Sequence, residues 1–243
     1  MLSNLNIIKA EFYNFAFIIK IIFTTIFSLI VFNSCKNQKI ISAASKKPLV
    51  VFLHGYGGNK SNFKMISENL NNDFDILLLD GFKRLNKTSF SWGTVNYDSI
   101  TNTWFEKKSN MYSIFKLRDF FKNENRTIIL VGESQGASIG YSLVLNYPEK
   151  FKYLIAINGY VDNKLLINKY KPDYSNTSIL RLNGSNDFVI NKDMVNSSTA
   201  ILDSLTISNS LVFHSENHSY SSAEVDLINM WIGNLNSTLY EKN

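Results

Sequence analysis

A single cysteine, Cys35, in 243 residues excludes an intrachain disulfide. Only three histidines, His54, His214 and His218, are available for any chemistry that needs an imidazole. Internal repeats and low-complexity tracts are absent. No dense Lys/Arg cluster is interleaved with aromatics, and the formal net charge is only +5, so nucleic acid is not an expected partner. What the chain does have is 45% hydrophobic content over a length that buries a sizeable core in one domain.

The N-terminus differs from the rest. Ile21 to Phe32, IIFTTIFSLIVF, carries no charge, follows Lys9 and Lys20, and gives way to the polar run around Cys35. A basic flank, an apolar stretch of this length and a small residue before the break describe a secretory signal. The segment resembles a bacterial lipoprotein signal, which implies cleavage that leaves Cys35 as a lipidated N-terminus. An uncleaved anchor from Phe15 to Phe32, with Lys20 snorkelling, is the alternative, and a core helix the plainer one. Residues 36–47, KNQKIISAASKK, have the composition of a flexible tether. The expected location is the bacterial cell envelope, lipid-anchored after export, with the membrane as a partner.

From Pro48 onward two periods alternate. PLVVFLHG (48–55) is a short continuous apolar run ending in glycine, which suits a strand buried on both faces, and DILLLDG (75–81) reads as a second buried strand. TIILVG (127–132), KYLIAING (152–159), SILRLNG (178–184) and SLVFH (210–214) complete the series of strands. Helical spacing fits Ser61–Leu70, Met111–Asn123, the segment from Ser134 to Tyr147 ahead of Pro148, Asp193–Leu205 and Ser221–Leu235. Strands alternating with helices predict an α/β fold, a parallel sheet with helices on both faces. Reactive groups in such sheets gather at the C-terminal strand ends.

One strand ends in Gly132-Glu133-Ser134-Gln135-Gly136, and a helical pattern follows at once. Strand, tight turn, helix is the context in which a G-x-S-x-G serine projects its hydroxyl above the sheet edge. The glycines let strand and helix approach, and the helix start presents free backbone N–H groups. A loop serine between chance glycines is the alternative. A serine nucleophile needs a base. His54, in LHGYGG after the first strand, belongs to a segment whose backbone amides suit an oxyanion, with Tyr56 and Gln135 as the donors. His214 closes an apolar run, whereas His218, in SENHSY, lies in the loop beyond and is the favoured base. The acid belongs between serine and histidine in sequence. Asp187, just after SILRLNG, is favoured over Asp162, and a solvated turn aspartate is the alternative for both.

LHGYGGN, GESQGA, YPEKF, NGSNDFVI and NHS, in that order, resemble the α/β-hydrolase superfamily, and within it the phospholipase/carboxylesterase branch that includes acyl-protein thioesterase-like serine esterases. NTWFE (102–106) is similar to the segment before the long helix of that branch. The resemblance covers about residues 48–235 and implies an α/β-hydrolase domain over 48–243, after a signal or lipoprotein-type segment over 1–35. It implies Ser134 as nucleophile, Asp187 as acid, His218 as base, Tyr56 and Gln135 as oxyanion donors, and neither metal nor organic cofactor. Three residues depart from the branch: Glu133 for an apolar or aromatic residue, Asn183 for histidine and Asn217 for glycine.

The expected activity is hydrolysis of small to medium acyl esters or thioesters. Residues 82–112 hold seven aromatic residues and suit either an acyl or aryl pocket or a packing lid. The connection 160–177 is too short for a large cap domain. Alternative readings are an envelope esterase acting on glycan-linked acetyl or feruloyl groups, and an inactive lipid-anchored binding protein.

Overall fold

The computed structural model describes residues 46–70, 73–100, 103–105, 107–167 and 172–240. The expected signal segment, Cys35 and most of the 36–47 tether lie outside them. Among the described residues, no helix is long and apolar enough to cross a membrane.

In chain order the elements are β1 (Leu49–Leu53), a 3-10 turn (Lys60–Phe63) running into α1 (Lys64–Asn69), β2 (Asp75–Leu79), β3 (Lys83–Arg84), β4 (Phe90–Ser91), β5 (Val95–Asp98) and β6 (Thr103–Phe105). Then come α2 (Lys107–Phe120), β7 (Ile128–Glu133), α3 (Gln135–Asn146), β8 (Tyr153–Ile157), β9 (Ser178–Gly184), α4 (Lys192–Ser204), β10 (Ser208–His214) and α5 (Ser222–Tyr240). Six strands form one sheet in the order β10-β9-β8-β7-β1-β2, every pairing parallel. The α/β expectation holds, and all six apolar runs are its strands.

β1 and most of β7 are buried on both faces, because helices cover both. Val50, Phe52, Ile129, Val131, Ile155, Ile157, Leu180 and Leu182 share one face with Ile66 of α1 and with Val225, Ile228 and Ile232 of α5. That helical triplet recurs at three- and four-residue spacing, so it forms a single stripe. Each such side chain contributes about 1.5–3 kcal/mol on full burial. At the far end of the sheet Arg126 ties two strand starts, with Nη1 2.6 Å from Asp75 Oδ2 and Nη2 2.5 Å from Glu124 Oε2.

The boundaries differ where polarity hides them. α2 starts four residues before Met111, because its first turn, KKSN, carries no apolar residue. The first helix is split, its entry capped by Asn59 through a reciprocal bond with Asn62. The aromatic-rich connection folds into two small hairpins, β3 with β4 and β5 with β6. Among the described residues, the β8–β9 connection holds one 3-10 turn, Asn163–Leu165, and no cap domain.

β1 hands the chain to β2 on one side, and β7 then opens the other side. Between β1 and β7 the order reverses, so the connections leaving them part and open a crevice at their C-terminal ends.

Candidate active site

Ser134 sits in that crevice, between β7 and α3, with φ 51 and ψ −114. Such a backbone costs a non-glycine residue about 1–3 kcal/mol, and packing on both sides enforces it. Its amide donates to Ile157 O at 2.8 Å. Gly136 crosses β1 so closely that a Cβ there would lie 1.8 Å from Leu53 O, and no side chain fits.

The loop after β10 brings His218 to this turn. Its Nε2 lies 2.8 Å from Ser134 Oγ, and its Nδ1 lies 2.7 Å from Asp187 Oδ2. A carboxylate only accepts, so Nδ1 carries the proton and Nε2 is left to accept from the serine hydroxyl. Asp187 is buried, and its other oxygen accepts from the amides of Val189 and Ile190 at 2.8 and 2.9 Å. The carboxylate thus holds the ring in one tautomer. The base loop rests directly on Gly184, where a Cβ would come within 2.0 Å of Asn217 O and 2.3 Å of Glu216 O.

The competing residues lie elsewhere. Asp162 caps the 3-10 turn, accepting from the Lys164 amide, and burial raises its carboxyl above the usual range. His214 is buried at the end of β10, where its carbonyl accepts from Ser185 N and Oγ. His54 is buried, with Nδ1 2.7 Å from Gly55 O while Nε2 accepts from the Gly81 amide at 2.9 Å. Those bonds make it the neutral Nδ1–H tautomer, and burial lowers its pKa.

Tyr56 lies in a turn fixed by bonds from Gly57 N to Phe90 O and from Gly58 N to Gly55 O. Gln135 is the first residue of α3, so its amide has no acceptor within the helix. The two amides come from the two connections that flank the crevice. The Gln135 side chain has a role that the motif does not reveal. Buried, it accepts from Ser91 Oγ and Trp92 N at 3.1 Å each and donates to Gly93 O and Asn110 Oδ1 at 3.2 and 3.1 Å.

Glu133 faces the same space. Burial raises its carboxyl pKa, while His218 and the Gly55 amide pull it back. Burial, reinforced by the Glu133 charge, pushes Tyr220 up to about 12. The aromatic residues of 82–112 fall into two groups. Phe82, Trp92 and Tyr112 line a cleft of about 340 Å³ together with Lys83 and Lys108, and no triad residue lines it. Tyr97 packs on Trp104 at 4.7 Å between ring centres, and Trp104 Nε1 donates to Val189 O beside the acid. Phe105 stacks on Tyr160 at 5.7 Å.

A six-stranded parallel sheet with a strained serine at its reversal point, and an imidazole and carboxylate delivered from the ends of β10 and β9, defines an α/β hydrolase. Solved structures share the fold. A Bacillus cereus carboxylesterase is 18% identical, with 76% of this chain and 87% of that one covered and a TM-score of 0.61. Zea mays acyl-protein thioesterase 2 is 17% identical, with 80% and 96% covered and a TM-score of 0.62. Arabidopsis thaliana SOBER1 is 16% identical, with 77% and 98% covered and a TM-score of 0.64. No curated protein matches the sequence. The pattern of the phospholipase/carboxylesterase family matches residues 36–236, and the chain belongs to that family. Membership supports ester hydrolysis in general.

Proposed function

We propose that the protein is a serine esterase that cleaves carboxylic ester or thioester bonds through an acyl-enzyme. Ser134 Oγ attacks the carbonyl carbon as His218 Nε2 takes its proton, and Asp187 holds the imidazole throughout. The oxyanion meets the amides of Tyr56 and Gln135. His218 returns the proton to the departing alkoxide or thiolate; water then repeats the sequence and releases the acid. The observation that carries this reading is the unbroken Ser134–His218–Asp187 relay, with contacts of 2.8 and 2.7 Å. It also disfavours an inactive binding protein, which has no need of a strained serine aligned with a base.

The absence of a cap domain among the described residues suits small to medium acyl groups at an open site. The N-terminal sequence supports export and lipid attachment at Cys35. Radiolabelled palmitate incorporated by the wild-type chain in a bacterial host, and lost in Cys35→Ala, tests that attachment; equal labelling of both sinks it.

The full chain incubated with a fluorophosphonate probe, and with p-nitrophenyl esters from acetate to octanoate, tests the activity. Labelling and turnover in the wild type, with turnover reduced about 10⁵–10⁶-fold in Ser134→Ala, is the expected result. A folded wild type that neither labels nor turns over ends the proposal.

A further inference from the structure

The relay needs three loops, one from each of β7, β9 and β10, to meet within hydrogen-bond tolerance. The residues that register them lie on a fourth strand end. Ile157, the last residue of β8, accepts the Ser134 amide at 2.8 Å. Its neighbour Asn158 is fully buried and holds both other loops with one side chain. Asn158 Oδ1 accepts from the Gly184 amide at 2.9 Å, at the start of the turn that carries Asp187. Asn158 Nδ2 donates to Ser219 O at 2.8 Å, the residue directly after His218.

The geometry points to Asn158 as a positioning residue that sets the distance between His218 and Asp187, an inference that rests on the esterase reading of the same site. Three properties suit asparagine to the task. It offers an acceptor and a donor on one planar amide, so it joins a backbone N–H to a backbone carbonyl. It tolerates the left-handed backbone, and Asn158 has φ 49. Its own amide is anchored to Leu182 O at 2.7 Å, which fixes where that side chain starts. Asn158 touches no reacting atom. It acts through the two loops, and Gly184 is the point at which its bond to the acid loop and the seat of the base loop coincide.

Asn158→Gly keeps the left-handed backbone available and removes both side-chain bonds. Asn158→Asp keeps an acceptor for the Gly184 amide, loses the donor to Ser219 O, and carries the comparison if the glycine variant fails to fold. The expected result, well below the melting transition, is a kcat lower by about tenfold to a hundredfold with KM within about twofold. The fluorophosphonate reaction slows in parallel. A readout independent of turnover is the low-field proton resonance of His218 Nδ1, expected in the wild type and broadened or lost in both variants. A variant with lowered melting temperature but unchanged kcat and an unchanged His218 resonance overturns the inference and leaves Asn158 purely structural. If the wild type fails to react with the probe, the esterase reading falls, and the resonance alone decides the role of Asn158.

Discussion

Gly184→Ala tests how tightly the base loop is seated. Gly184 ends β9 outside the left-handed region, so an added methyl group is a matter of space alone. Its Cβ would lie 2.0 Å from Asn217 O and 2.3 Å from Glu216 O, and ordinary contact begins near 3.4 Å. The Asn217 carbonyl must therefore retreat by about 1.4 Å, the difference between these distances. It is backbone next to His218, and the retreat carries the imidazole with it. A displacement of that size breaks the 2.8 Å contact between Nε2 and Ser134 Oγ. A misplacement of about 1 Å in a catalytic constellation costs about 10²-fold, so kcat/KM for p-nitrophenyl acetate should fall at least that far, or about 2.7 kcal/mol. The melting temperature should fall as well, since overpacking costs about 1–3 kcal/mol. Kinetics well below the melting transition separate the two effects. A folded Gly184→Ala enzyme within about threefold of wild-type kcat/KM refutes the reasoning, because the base loop would then have slack.

Two further perturbations address charge. Burial raises the Glu133 carboxyl, so the native state holds that proton more tightly than the unfolded chain, and stability falls as pH rises from the ordinary glutamate value of 4.5 through the raised one. Glu133→Gln should melt higher than the wild type at neutral pH, with the gain vanishing in acid; a wild type that stays the more stable at neutral pH contradicts this. Arg126 holds Glu124 below its ordinary range, a contribution present above the unfolded value and lost as pH falls through the lowered one. Arg126→Met should cost roughly 1–2 kcal/mol in urea melts at neutral pH and progressively less in acid; a cost independent of pH locates the loss in packing instead.

The sheet was legible because its parallel strands are short, largely apolar runs, interrupted inside β9 only by the buried Arg181, and the order of Ser134, Asp187 and His218 along the strand ends placed the relay. The hairpins were not. Lys83–Arg84 and Val95–Asp98 are short and polar, and a strand without a buried face leaves no alternation to read. α5 runs five residues past Leu235 for a similar reason, since Asn236-Ser237-Thr238 breaks the apolar stripe without ending the helix. Asn158 and the Gln135 side chain escaped notice because their partners are backbone atoms and side chains far apart in sequence. An Asn-Gly after a strand reads as a turn, and nothing local shows that its amide spans two other loops.

The anchoring of Gln135 bears on how this enzyme can diversify. Its amide side chain grips residues 91–93 on one side and Asn110 on the other. Thr94 closes the base of the excursion, its amide donating to Ser109 Oγ at 2.8 Å and its carbonyl accepting from Asn110 Nδ2 at 2.9 Å. The segment between them leaves from that closed stem, its described residues add no strand to the six-stranded sheet, and Trp104 and Asp98 tie it to Val189 and Lys164. The exposed Tyr97 can vary around that stem while Gln135 stays seated, whereas Trp104 and Phe105, which reach Val189 and Tyr160, link the segment to the side of the crevice that carries Asp187.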